Sequence, residues 1–315
     1  MNIEMIEAAA ARARGHVRRT PLLSSGLLDA LAGRRILVKA ECLQHTGSFK
    51  FRGGWSAVSA LKGAQGVIAY SSGNHAQGVS LAARMHGLPA VIVMPKDAPA
   101  LKIANTRALG AEIVFYDRHA DSREEIGERI ATERGLTMIR PYDDPWVVAG
   151  QGTCGLEIAE QAAEAGVTEA EVIVCCGGGG LAAGTALALE GSKLRVRTAE
   201  PELFDDTARS LIAGERLGNP AEARSICDAI VTPGPGELTF PILQRLAGPG
   251  LVASDNEALR AMALAFQHLK IVMEPGGAIA LAAALFRPSE ADTVIVTASG
   301  GNVDAAMFAR ALGTL

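Results

Sequence analysis

Cysteine is scarce in this chain and forms no pattern: five in 315 residues, with no Cys-x-x-Cys spacing. That arrangement argues against a disulfide framework and against a thiolate zinc site. Cys175 and Cys176 are adjacent and poorly placed to bridge each other, so reduced thiols in a cytoplasmic protein are the simplest reading. Aromatic residues are few, at 4%, and none interleave with a basic tract. With a formal net charge of -4, nothing favours a nucleic-acid or anionic-membrane partner. Every apolar run is broken by glycine, proline or charge well short of the roughly 20 residues that a bilayer span needs. The N-terminal MNIEMIEAAAARARGHVRR is polar and helical in pattern, without an apolar core, so no secretion signal is expected. The histidines lack metal-ligand spacing with cysteines or carboxylates.

What is present is core material, 49% hydrophobic residues against 20% charged, enough for one large domain or two moderate ones. Short β-rich runs alternate with Ala-rich helical stretches. Strands are expected at ILVKAE (from Ile36), GVIAYS (Gly66), AVIVMP (Ala90), AEIVFYD (Ala111), EVIVCCG (Glu171), LRVRTAE (Leu194) and DTVIVTAS (Asp292). Several are continuously apolar, as parallel strands covered on both faces should be. Helices such as HAQGVSLAARMHG, LKIANTRALG, SREEIGERIATERG and NEALRAMALAFQHLK separate them. The alternation implies an α/β fold of open, parallel, twisted sheets with helices on both faces. Such sheets place their sites beyond the carboxyl ends of the strands. The elements from Gly66 to about Arg140 form a set of their own, and RPYDDPW reads as a crossover. The expected organisation is a small domain, 65–143, inserted in a large one, 1–64 and 144–315.

Four turns rich in glycine and polar residues punctuate those strand ends. HTGSFKFRGG (His45 to Gly54) carries Lys50 at a helix start beside Phe49. An isolated lysine is by default solvated; one walled by Phe49 at a helix N-terminus would lose its charge readily and become nucleophilic. SSGNHAQG (Ser71 to Gly78) offers short polar side chains, a bare backbone at Gly73 and helix-start N–H groups suited to a carboxylate or phosphate. Ser72 or Asn74 could equally be a plain helix cap. CCGGGGLAAG (Cys175 to Gly184) makes a bare pocket at a helix start, as a phosphate requires. Gly178, Gly180 and Ala183 also satisfy a loose dinucleotide fingerprint, with Glu200 near the ribose-binding spacing. TASGGN (Thr297 to Asn302) sets Ser299 at a strand end, either facing a ligand or capping a turn.

Together these four motifs resemble the fold-type-II pyridoxal-phosphate family, in its threonine/serine dehydratase and serine racemase branch. The resemblance spans essentially the whole chain, and AGQGT (Ala149 to Thr153) and EPGGA (Glu274 to Ala278) agree with it. Gly54 and Trp55 depart from the usual residues after the lysine. The match stops at Leu315, so a regulatory domain and isoleucine feedback are not expected. The resemblance implies pyridoxal 5'-phosphate held by Lys50 as a Schiff base, with Lys50 also removing the α-proton. Gly177, Gly178, Gly179, Gly180 and Leu181 would cradle the phosphate. Asn74 would meet the phenolic oxygen and Ser299 the pyridine nitrogen, with Phe49 and Glu274 among the cofactor's neighbours. Ser71, Ser72, Gly73, Asn74 and His75 would grip the substrate carboxylate, and Ser72 matches an acid/base on the face opposite the lysine.

After LRVRT, the segment AEPELFDDTARS gathers Glu200, Asp205 and Asp206. Read as residues alone, Asp205 or Asp206 caps the next helix. The resemblance implies instead a divalent cation, Mg2+ or Ca2+, on Glu200, Asp206 and the Phe204 carbonyl. Lys102 and Arg123 match positions near the substrate in relatives, though solvated helix faces are the commoner role for such residues. If either reaches substrate, an acidic side chain such as that of 3-hydroxyaspartate becomes acceptable. The leading expectation is an ammonia-lyase converting L-threonine or L-serine to a 2-oxo acid and ammonia, acting as a homodimer. A 3-hydroxyaspartate dehydratase or a serine racemase is the alternative within the family. A nicotinamide-dependent oxidoreductase is the alternative outside it.

Overall fold

The computed structural model describes residues 1–71, 73–117 and 120–315. Ten strands form two sheets. In chain order they are β1 (Leu22–Ser24), β2 (Arg35–Lys39), β3 (Val67–Tyr70), β4 (Ala90–Pro95), β5 (Glu112–Tyr116), β6 (Thr137–Met138), β7 (Ala170–Cys175), β8 (Leu194–Pro201), β9 (Leu251–Ala253) and β10 (Thr293–Thr297). A six-stranded sheet runs β1-β2-β10-β7-β8-β9 and a four-stranded sheet runs β5-β4-β3-β6. Every pairing is parallel except β1 with β2.

The seven expected strands are all present. Their apolar continuity reflects a sheet buried on both faces, and alternate residues enter opposite cores. Ile36, Val38, Ile173, Val294 and Val296 pack on one side of the larger sheet, while Leu37, Val172, Val174 and Ile295 pack on the other. The smaller sheet divides in the same way, Val67, Ala69 and Ile92 against Ile68, Val91 and Val93. The strands that patterning missed, β1, β6 and β9, are two or three residues long and sit at sheet edges, too short to show a period.

RPYDDPW proves to be a helix start as well as a crossover. Asp144 accepts hydrogen bonds from the N–H groups of Trp146 (2.8 Å) and Val147 (3.1 Å), and Pro145 opens the helix Pro145–Glu164. Asp143 adopts a left-handed φ of 54°. Its carboxylate accepts from Glu237 N (2.6 Å) and Leu238 N (3.0 Å), just ahead of the helix Thr239–Leu246.

Two contacts fix the helix that begins at Lys50. The first is a backbone crossing. A Cβ on Gly78 would lie 2.9 Å from the Lys50 carbonyl, and one on Gly54 would lie 2.9 Å from the Gly78 carbonyl. Only glycine allows the helices Lys50–Ala60 and Asn74–Met85 to approach so closely. The second is a buried ion network. Arg52 donates from Nε to Glu41 Oε2 (2.7 Å) and from Nη2 to Glu41 Oε1 (2.8 Å). It also donates from Nη1 and Nη2 to the two oxygens of Glu157, both at 2.7 Å. Lys39 Nζ reaches Glu157 Oε2 at 2.5 Å and Gln161 Oε1 at 2.8 Å. Two cations meet two carboxylates, and the doubly bonded geometry at Arg52 is one that guanidinium provides and ammonium does not. Arg52 holds the Glu41 carboxyl below the usual carboxylate range despite its burial.

Removing the guanidinium would strand those carboxylates in the core. Arg52→Leu should therefore cost about 3–5 kcal/mol of unfolding free energy, read from urea denaturation. A loss under about 1 kcal/mol would mean the network relaxes or hydrates instead.

Candidate active site

A cleft of about 170 Å³ opens past the carboxyl ends of β3 and β7. Phe49, Lys50, Ser71, Gly73, Asn74, His75 and the loop Gly177 to Leu181 all line it. Three of the four glycine-rich turns therefore converge on one space, and the fourth stands directly behind. Ser299 accepts from Phe49 N at 3.0 Å through its carbonyl, Gly300 pairs with Ser48, and Cys175 in the cleft wall donates from Sγ to the Thr297 carbonyl at 3.3 Å. Ser72 lies outside the described residues.

Lys50 donates from Nζ to the Pro141 carbonyl at 3.0 Å, and its Nζ stands 5.0 Å from the Phe49 ring centre. Burial pushes the amine down to about 8, with the Glu274 carboxylate opposing the shift. A substantial neutral fraction near physiological pH makes Lys50 a usable nucleophile and base.

Two helix starts at the cleft lack side-chain caps. The helix Asn74–Met85 begins after Gly73, and the helix Gly180–Ala188 after Gly179, neither with a side-chain cap. Their first-turn N–H groups have no acceptor within their own helices and lie at the positive ends of the helix dipoles, an arrangement that suits anions. Gly179 has φ 87°, a conformation that turns the loop into the helix and suits glycine. The Gly178 carbonyl is tied off by Thr239 Oγ1 (2.7 Å) and Gly236 N (3.3 Å).

Asn74 does not act as a cap, because its side chain is used elsewhere. Nδ2 donates to Glu274 Oε1 at 2.5 Å, and Oδ1 accepts from Asn302 Nδ2 at 2.7 Å. One Nδ2 hydrogen remains for a ligand. Glu274 is raised to about 7 by burial and by Asp228, against Lys102, Asn74 and Lys50; its Oε2 has no partner. His75 is buried and held down at about 3, chiefly by burial and then by Lys50. Its Nε2 pairs with the Ile139 carbonyl at 2.9 Å and therefore carries the proton, while Nδ1 has no partner. A neutral imidazole with an acceptor at Nδ1 is a poor grip for a carboxylate, so only the backbone N–H of His75 suits that role.

The cleft is also lined by residues from helices and loops outside the four turns. Lys102 lies against Gly73 and donates to Asp228 Oδ2 at 2.6 Å. The Arg123 guanidinium sits 5.2 Å over the Tyr70 ring and bonds Glu124 at 2.7 Å. Tyr142 covers Gly178, where a Cβ would come within 2.4 Å of its ring. Tyr142, Gln151, Asp228 and Asn302 were not singled out from the sequence. RPYDDPW and AGQGT were the only signals for the first two, and Asn302 closes TASGGN.

Glu200, Phe204 and Asp206 lie at a separate place, at the carboxyl end of β8 and the start of the helix Asp206–Ala213. Asp205 makes no cap bond and pairs with Arg209 (2.9 Å). The cap comes from the preceding strand, as Glu200 accepts from Thr207 N (3.0 Å) and Ala208 N (2.8 Å). Both Glu200 oxygens therefore close the start of that helix. Asp206 accepts from Asn219 Nδ2 (2.5 Å) through Oδ1, and its Oδ2 is buried without a partner. Burial first, then the neighbouring carboxylate, pushes Glu200 up to about 8, and burial pushes Asp206 up to about 6. Among the described residues, no group of three or more His, Cys, Asp or Glu is placed to hold a metal. None of the described helices is long and apolar enough to cross a membrane.

A family model described as pyridoxal-phosphate dependent enzyme matches residues 13–301. An L-threo-3-hydroxyaspartate ammonia-lyase of Pseudomonas sp is 43% identical over 313 residues, covering 96% of each chain. The structure of a threonine deaminase from T.th. is 45% identical with TM-score 0.92, covering 96% of this chain and 99% of that one. Maize serine racemase is 37% identical with TM-score 0.92, covering 99% and 97%.

Lys50 in ligand-free protein should react with an amine-selective acylating reagent with a midpoint near pH 8, against an ordinary lysine value of 10.5. Peptide mass spectrometry across a pH series reads it. A midpoint shared with the surface lysines would refute the shift.

Proposed function

The chain belongs to the family of pyridoxal-phosphate-dependent enzymes, and we propose that it is an ammonia-lyase whose β-hydroxy amino acid carries a second carboxylate, as 3-hydroxyaspartate does. The observation that carries the side-chain assignment is the pairing of Lys102 and Arg123 in the wall of the cleft that holds Lys50. The donor set also fits pyridoxal 5'-phosphate: an amine of lowered pKa, a bare glycine loop at an uncapped helix, and buried unpartnered atoms on His75, Gln151 and Glu274. Bound there, the cofactor supplies the electron sink for cleavage at the substrate α-carbon.

The chain's own residues then divide the work. Gly177, Gly178, Gly179, Gly180 and Leu181 hold the phosphate through backbone N–H groups. Asn74, steadied by Glu274 and Asn302, meets the phenolic oxygen, Ser299 meets the pyridine nitrogen, and Phe49 walls the ring. Backbone N–H groups of Gly73, Asn74 and His75, with the Ser71 hydroxyl, bind the α-carboxylate. Lys50 Nζ takes the α-proton. We assign Ser72 the acid/base position opposite it. Loss of the β-hydroxyl as water, followed by hydrolysis, leaves a 2-oxo acid and ammonia.

The pairing of Lys102 with Asp228 and of Arg123 with Glu124 supports a second reading, L-serine or L-threonine, because both cations of the cleft wall already have acidic partners. The two sheets support a division into a large domain, 1–64 and 144–315, and a small one, 65–143. Apolar exposure at Leu27, Leu31 and Leu315 supports a homodimer, and five free, buried cysteines support a cytoplasmic setting. Glu200, Asp206 and the Phe204 carbonyl are the proposed ligands of Mg2+ or Ca2+, supported by the unpartnered Asp206 Oδ2.

Ammonia release should be fastest with L-threo-3-hydroxyaspartate. Arg123→Met should lower kcat/KM for it by about 10- to 100-fold while changing L-serine turnover little. Lys50→Ala should lose both the visible colour and ammonia release with every substrate. Equal loss for both substrates in Arg123→Met would remove the second-carboxylate assignment. Millimolar Mg2+ or Ca2+ should raise the melting temperature by about 5 °C, EDTA should reverse it, and Asp206→Asn should be indifferent to both. A wild-type protein indifferent to cation would remove that site.

A further inference from the structure

Gln151 is the polar side chain that the proposed chemistry leaves unused. It lies mid-way along the helix Pro145–Glu164 and is 1% exposed. Neither Oε1 nor Nε2 has a hydrogen-bond partner. Gln161, on the same helix, is also buried, but bonds Lys39 and the Thr20 carbonyl. Burying an amide with both ends unmet is costly, so a native core keeps one only where something else meets it.

The surroundings of the amide say what that is. Gln151 lines the cleft. Its Oε1 stands 2.4 Å from where a Cβ would sit on Gly180, the first residue of an uncapped helix. Its Nε2 stands 3.1 Å from the corresponding point on Gly53, one turn beyond Lys50. The side chain is thus wedged between the glycine loop and the lysine helix, held by glycines on both sides. A half-turn of the amide exchanges donor for acceptor at Gly180, a choice that the bound group decides. An anion at a helix start takes donors.

We propose that Gln151 is a further cofactor-binding residue, its amide N–H donating to the phosphate that the glycine loop holds. This rests on the cofactor assignment above. The backbone supplies N–H groups from one helix start only; Gln151 adds a donor from a second helix without adding charge. It thereby ties the phosphate to the helix that also carries Glu157, the partner of Arg52 and Lys39.

The test compares pyridoxal 5'-phosphate with pyridoxal, which lacks the phosphate, on apoprotein of wild type, Gln151→Met and the isosteric Gln151→Glu. Binding is read from visible absorption and quenching of tryptophan fluorescence, with circular dichroism as the check on folding. Gln151→Met should weaken pyridoxal 5'-phosphate about tenfold or more and leave pyridoxal within about twofold. Gln151→Glu should weaken the phosphate form further, by repulsion, again sparing pyridoxal. Inorganic phosphate should raise the melting temperature of wild-type apoprotein more than that of either variant. Equal losses for both aldehydes would make Gln151 a packing residue, and unchanged affinity in whichever variant folds would overturn the proposal outright. A wild type that binds neither aldehyde would overturn the cofactor assignment instead, so the two failures are distinct.

Discussion

Two helices begin at the same cleft with their first amides uncapped, and the architecture of the site follows from supplying those amides with anions. A helix start offers up to four N–H groups without acceptors of its own. Most proteins close such ends with Ser, Thr, Asp or Asn. Here the cap position of one helix is Gly73 and of the other Gly179, and the asparagine best placed to help, Asn74, turns to Glu274 and Asn302 instead. Leaving both ends open within one cavity favours a ligand with two separated negative groups. A phosphate at one end and an α-carboxylate at the other would satisfy that demand largely through backbone, in keeping with motifs built from glycine and short polar residues.

The lysine must then stand at a fixed distance from both ends, and the interior supplies that rigidity. The crossing of Gly54 and Gly78 joins the lysine helix to the first helix start by backbone contact, with no side chain able to change rotamer between them. Arg52, two residues beyond Lys50, joins the same helix to Glu41 and Glu157 through four charge-assisted hydrogen bonds. The lowered pKa of Lys50 is thus a consequence of position, because the amine is buried beside a phenyl ring.

Much of this was legible in the sequence. Seven strands showed as apolar runs because both faces of a parallel sheet are buried, and four punctuated turns showed where their carboxyl ends lie. The unread parts share a physical cause. Strands β1, β6 and β9 are too short for periodicity. Tyr142 and Gln151 belong to elements whose local pattern is that of an ordinary crossover and an ordinary helix, and their importance appears only when a distant glycine loop packs against them. The cap on the helix Asp206–Ala213 was assigned to the nearest acidic residues, whereas it comes from Glu200 on the preceding strand. That the His75 side chain is committed to the Ile139 carbonyl, leaving its backbone N–H for a ligand, was not readable from SSGNHAQG. Each of these depends on a contact between residues far apart in the chain or on a tautomer, neither of which local pattern encodes.

The five cysteines are all free and buried. Burial pushes Cys42 up to about 12 and raises the other four thiols as well. Thiols that remain protonated and shielded exchange slowly with oxidants and alkylating agents. A single cysteine introduced on the surface would then carry a fluorophore or spin label with high selectivity and no background mutations. A pair of such cysteines, one beside each sheet, would make the distance between the two sheets measurable.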